Sequence, residues 1–149
     1  LNDRARRANN VMVYGLLEST NPDVEMRKKF DLDLITSLFK SSLPIFNNSG
    51  IKMYRVGKKQ VGKPRPLKVI LTSQCDAELV MSTFSHDTAT KANPNFYSVK
   101  VARDKTLQEQ KYLKSLITEM EERKSKGETD LTIKYRNNVP SIVKITKTN

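Results

Sequence analysis

Arg55–Leu71 reads R-V-G-K-K-Q-V-G-K-P-R-P-L-K-V-I-L. Arg55, Lys58, Lys59, Lys63, Arg65 and Lys68 are basic, and no residue in the segment is acidic. Gly57, Gly62, Pro64 and Pro66 exclude a helix or an unbroken strand through its middle, because proline removes a donor and glycine weakens a strand. Leu67 to Leu71 is apolar and β-branched enough to form a buried strand. The segment is therefore a basic arm between two strands. Its charge suits a phosphate backbone; the plainer reading is a solvated hairpin loop.

Ile51 to Val56, on the near side of the arm, is the second strand, and Leu67 to Thr72 is the third. Upstream, residues 9–16 alternate and stop at Gly15, which makes a first strand with Val11 and Val13 inward and Met12 and Tyr14 on the opposite face. Asn21 before Pro22 is a helix start, an amide cap followed by a residue with no donor to waste. The helix is expected over Pro22–Ser42. Phe30, Leu34 and Leu38 form its buried stripe, widened by Ile35 and Phe39. Pro44 follows its end, and Asn47 to Gly50 has turn chemistry.

Downstream, Ser73 caps a second helix, with Asp76 three residues on. Ala77, Val80, Met81 and Phe84 are its buried face. Asn93-Pro94-Asn95 breaks the chain. Phe96 to Ala102 is a fourth strand with Val99 and Val101 inward. The order β-α-β-β-α-β gives an α+β fold, a ferredoxin-like four-stranded antiparallel sheet with both helices on one face. Thr106 with Glu109 is a capping box, and Gly127 stops the long amphipathic helix that begins there, with Leu113, Leu116, Ile117 and Met120 at helical spacing. Residues 131–145 read as a hairpin turning at Asn137-Asn138, with Pro140 marking an edge strand. The expected organisation is a basic lead over 1–8, a domain over 9–104, and a helix-plus-hairpin unit over 105–149. The lead is either the last turn of a helix entering from upstream or a loose basic segment.

The chain has 149 residues, a net charge of +11, a pI of about 9.8 and an apolar fraction of 37%. That supports one modest core, and the charge calls for an anionic partner, nucleic acid before an acidic membrane surface. Apolar runs are short, so neither a membrane span nor a signal peptide is expected. The single cysteine, Cys75, excludes an internal disulfide and fits a reducing compartment. The chain starts at Leu1 rather than methionine, and we read it as a piece of something longer. His86 is the only histidine, and acidic pairs such as Asp31/Asp33 and Glu121/Glu122 do not face each other on a helix. There is no acid/base pair, no Walker-type phosphate loop and no nucleophile–base set, so no enzyme, metal or cofactor is expected.

Topology and charge together point to RNA-recognition-motif chemistry, in which the open sheet face stacks bases on aromatic side chains of the first and third strands. Met12 occupies the usual first-strand stacking position, with Tyr14 on the same face. Lys68 and Ile70 stand where third-strand aromatics belong. Tyr54 is the other stacker. A face so poor in aromatics leaves most of the binding to charge, so it should be broad in sequence and steep in salt.

The chain resembles the nucleic-acid-binding part of the first open-reading-frame protein of LINE-type (non-LTR) retrotransposons. The residues that carry this are R-R-A-N-N-V-M-V-Y-G-L-L-E-S (6–19), Y-R-V-G-K (54–58), K-P-R-P-L-K-V-I-L (63–71) and V-A-R-D-K-T-L-Q-E-Q-K (101–111). The helix, glycine and hairpin of 107–145 are similar to that family's small C-terminal domain. The resemblance implies a non-catalytic single-stranded RNA-binding module in cytoplasmic ribonucleoprotein particles or the nucleus, with nucleic-acid chaperone activity. It implies RNA held in the cleft between the two domains by Arg6, Arg7, Arg55, Lys63, Arg65 and Lys111. It also implies a homotrimer through an upstream coiled coil, which this chain lacks. Leu17 departs from a common proline, Gln110-Lys111 from a frequent arginine pair, and there is no zinc knuckle. The full set of candidate nucleic-acid contacts is Arg6, Arg7, Met12, Tyr14, Tyr54, Arg55, Lys58, Lys59, Lys63, Arg65, Lys68, Arg103 and Lys111, with DNA an alternative strand to RNA. A protein-interaction module using the helical face or the long helix is the competing function.

Overall fold

The computed structural model describes residues 3–42 and 50–145. Pro44 and most of the expected 47–50 turn lie outside them. The chain divides into two compact units, Leu1–Asp104 and Lys105–Asn149.

The first unit opens with a short helix, α1 (Asp3–Arg7), so the basic lead is helical where it is described. Strand β1 (Asn10–Tyr14) follows. Helix α2 spans Val24–Leu38. It starts later than expected because Asp23, not Asn21, is the cap: the Asp23 carboxylate accepts the Glu25 N–H at 3.0 Å. Asn21 instead accepts the Asp23 N–H at 2.9 Å, an Asx turn that leads the chain into the cap. The helix ends at Leu38, and a 3₁₀ turn carries Lys40–Ser42. Strands β2 (Lys52–Arg55) and β3 (Leu67–Ile70) flank the arm. Helix α3 (Gln74–His86) begins at Ser73, whose hydroxyl accepts the Asp76 N–H at 3.1 Å. Asp87 ends that helix and caps a further short one, α4 (Thr88–Lys91), that the sequence reading did not anticipate.

The fourth strand, β4, is shorter than expected, Lys100–Arg103. The Asn93 side chain caps a 3₁₀ turn over Pro94–Phe96, so Phe96 reaches the core from a turn rather than a strand.

The sheet is antiparallel throughout, in the order β2-β3-β1-β4. Alternation sends Val11, Val13, Leu67 and Val69 into one buried cluster with Ile35, Leu38 and Phe39 of the α2 segment and Ala77, Val80 and Phe84 of α3. Leu34, Met81 and Val101 pack against that cluster. The ring edge of Phe84 meets Phe39, centroids 5.7 Å apart.

β1 stops at Gly15 because the backbone turns left-handed there, φ 76°. The site is also closed to a side chain, since a Cβ would stand 2.4 Å from the Ser98 carbonyl oxygen.

The second unit is α5 (Leu107–Ser125) followed by the hairpin of β5 (Leu131–Arg136) and β6 (Val139–Lys144). Thr106 and Glu109 form the expected capping box. At the other end the Gly127 N–H reaches Lys124 O and the Glu128 N–H reaches Arg123 O, both 3.1 Å, a Schellman closure. The hairpin turns at Asn137 and Asn138, both with positive φ, and pairs Arg136 with Val139. Pro140 lies opposite Tyr135 in this two-stranded sheet. Leu116 alone of the α5 stripe is buried, and Ile117 is exposed.

Gly15→Ala combines left-handed strain with the Ser98 clash. It should destabilise the first unit by about 2 kcal/mol or more, read as a lower urea midpoint with an unchanged slope.

Candidate nucleic-acid interface

The strand register fixes what the sheet presents on the face away from α2 and α3. One row runs Tyr54, Lys68, Met12, Ala102 across β2, β3, β1 and β4. Lys52, Ile70 and Asn10 form the row beside it, and Tyr14 pairs with Lys100 on the other side. Tyr54 is 50% exposed and Tyr14 41%. The Lys68 ammonium lies 5.8 Å from the centre of the Tyr54 ring, a cation–π contact. Burial, with the Asp104 carboxylate nearby, pushes the Tyr14 phenol above its ordinary value.

Met12 is not a platform. It is buried, 7% exposed, between Lys68 and Ala102 in the register, and offers a base little surface. Lys68 and Arg7 are also not free cations. Asp104 is 4% exposed and gathers both: Arg7 Nη1 donates to it at 2.9 Å, Asn10 Nδ2 at 2.8 Å, and Lys68 Nζ stands 3.2 Å away. Arg7 also reaches Asp3 at 3.1 Å. Burial by itself raises the Asp104 carboxyl. The hydrogen bonds and charges of Asn10, Lys68 and Arg7 outweigh it and hold the group below the usual carboxylate range.

The two arginines that bracket the arm also take another role. Arg55 is almost fully buried, and its guanidinium donates to Leu16 O, Leu17 O and Arg65 O at 2.9, 2.6 and 2.8 Å and to both Asp31 oxygens. Arg65 grips Glu18 with Nε and Nη2 at 2.9 and 2.7 Å, while its own backbone N–H donates to the other Glu18 oxygen at 3.0 Å. Burial tends to raise Glu18, and the Arg65 contacts reverse this and lower it. These forks satisfy carboxylates and carbonyls within the fold, which is what a planar guanidinium does best. Arg103 lies opposite Val11, so it leaves the sheet on the helix-packed face rather than beside the tyrosines.

The exposed cations are different ones. Arg6, Lys58, Lys59, Lys63 and, on α5, Lys111 are exposed. Lys52 and Lys100, outside the candidate set read from the sequence, are exposed on the outer face. Alternation from Tyr54 and Tyr14 was the signal that would have found them. Asp31 was legible too: it sits four residues before Ile35 on the buried stripe of α2. Nothing local in the sequence marks Glu18 or Asp104.

Among the described residues no helix is long and apolar enough to cross a membrane, and no group of three or more His, Cys, Asp or Glu could hold a metal ion. The class defined so far is an α+β chain whose four-stranded sheet has helices on one face and tyrosines with lysines on the other. No family model matches the chain, and no curated protein matches it.

Asp104 and Glu18 bind protons less readily folded than unfolded. Their contribution to stability is complete above the unfolded carboxylate range, about pH 4, and is lost as pH falls through the lower folded values. Urea midpoints taken between about pH 5 and about pH 2 should fall with acid. Asp104→Asn and Glu18→Gln should each be less stable at neutral pH and lose less on acidification.

Proposed function

We propose that the chain is a non-catalytic module for single-stranded nucleic acid, RNA first, with an RNA-recognition-motif type of sheet. The observation that carries the reading is the pair of exposed rings, Tyr14 and Tyr54, on one sheet face edged by exposed Lys52 and Lys100. Base stacking on such rings tolerates any sequence, because every base has a π-face. The arm adds Lys58, Lys59 and Lys63 for the phosphates. The strand order and the resemblance to the LINE first open-reading-frame proteins support the same assignment and favour RNA within a retrotransposon ribonucleoprotein, where broad, charge-led binding suits a nucleic-acid chaperone.

Protein docking through α5 is the second reading. Leu107, Tyr112 and Ile117 favour it, since all three are exposed on that helix.

Titration of fluorescent single-stranded RNA over a salt series decides between them. On the favoured reading log affinity falls linearly with log salt, at about 0.7 per phosphate neutralised. Lys59→Glu with Lys63→Glu should weaken every sequence alike and flatten that slope by about 1.4. These lysines are solvated, so the double reversal leaves folding intact, unlike reversal of Arg65. Affinity that ignores salt, or survives the double reversal, would end the electrostatic mechanism. Tyr54→Ala should cost about 1–3 kcal/mol of affinity if a base stacks there; an unchanged affinity would remove Tyr54 from the site.

A further inference from the structure

We infer that the cleft between residues 17–20 and the arm is a single-nucleotide site, with the base held between Leu17 and Val61 and its phosphate on Lys59 and Lys63. This rests on the nucleic-acid reading and deepens it. The cleft has a volume of about 470 Å³, and both walls belong to the first unit. That lies within the range of small-ligand sites.

The apolar residues at its lip call for an explanation. Val61 is wholly exposed and Leu17 is 62% exposed. Single exposed apolar residues are ordinary. These two line the same cleft from opposite walls, and each is held by hydrogen bonds that fix its backbone. At the arm tip the Lys63 N–H donates to Gln60 O at 3.4 Å, and Gly62 has φ 77°, the left-handed value that the third residue of a type II turn requires. Val61 is therefore pinned at the second position of a tight turn with its side chain in solvent. On the other wall the Leu17 carbonyl accepts from Arg55, and Glu18 is gripped by Arg65.

The chemistry of the lining fits one nucleotide. Aliphatic side chains stack against the faces of unstacked bases, as pocket walls and as wedges. Lys59 and Lys63 line the cleft, are exposed, and make no ion pair among the described residues. Glu18, the one acid in the lining, is already neutralised by Arg65, so it does not repel a phosphate. Thr20 and Gln60 add a hydroxyl and an amide for a base edge. None of these residues belongs to the rows that hold Tyr14 and Tyr54, so the cleft would take a nucleotide additional to those on the sheet.

Methyl and aromatic NMR of the full chain, titrated with a single-stranded octauridylate and then an octaadenylate, tests this. The Leu17 and Val61 methyl resonances should move upfield at saturation, since a base ring lies over them. Leu17→Ser with Val61→Ser should weaken binding about five- to tenfold, the low end of base stacking, with an unchanged urea midpoint because both side chains are solvated. Methyl resonances that stay fixed while the Tyr14 and Tyr54 ring resonances move would overturn the cleft site and leave the sheet reading standing. A double variant that binds like the parent overturns it as well. If neither the methyls nor the rings respond and no affinity is measured, the nucleic-acid reading falls together with the cleft.

Discussion

The buried guanidinium of Arg55 holds together the end of the first unit from which the arm projects. It carries a full charge in a site that is almost closed to solvent, and it survives there because its donors meet three carbonyls and a carboxylate. Removing any partner would leave an unpaired charge or an unpaired carbonyl, each costly in a low-dielectric site. The partners come from three places: the loop after β1, the middle of α2 and the end of the arm just before β3. One side chain thus fixes the exit of the first strand, the depth of the helix and the root of the arm. Arg65 repeats the device one step outward through Glu18. With its root fixed twice, the arm displays its lysines from a defined base.

This explains how the charge is divided. Arginine is the better residue for a closed fork of acceptors, and lysine the better one for a mobile, hydrated point charge. The arm's arginines face inward to the frame while its lysines face water. A sequence reading that counts positive charges treats both as phosphate ligands. The distinction depends on Asp31 and Glu18, which lie 24 and 47 residues away from their partners. No periodicity reports a pairing at that distance, although Asp31 on a buried stripe was a sign that some cation had to meet it. The same blindness applies to Asp104, which collects Arg7 and Lys68 from distant parts of the chain.

Local chemistry was far more legible. The arm's glycines and prolines placed a hairpin, and alternation assigned the inward valines. Ser73, Thr106 and the Asn137-Asn138 turn marked element ends that the structure repeats. Errors arose where two local signals competed. Asn21-Pro22 looked like a cap, but Asp23 two residues later supplied a better one. Phe96 looked like the start of a strand, but Asn93-Pro94 continued as a turn through it. In the second unit the apolar stripe on α5 is wider than the hairpin can cover. A two-stranded sheet has little area to offer, so only Leu116 is enclosed on the helix. The capping box and the Schellman closure stabilise both ends of that helix, which matters most where the core is small.

The Asp104 cluster also shapes what the outer face can do. Arg7 and Lys68 are balanced there by Asp104 and Asp3, so the middle of the face is close to neutral. Lys52 and Lys100, which make no ion pair among the described residues, stand towards the outer strands, and Lys58, Lys59 and Lys63 stand on the arm. A polyanion laid across such a surface gains most when its phosphates follow the rim and its bases turn inward over Tyr14 and Tyr54. A face with its charge at the centre would favour the reverse, phosphates inward and bases in water. On the proposed reading, the acid buried beside the tyrosines therefore orients the strand without touching it. On that reading the anionic backbone is left to run outward, because the cations that would otherwise draw it in are cancelled.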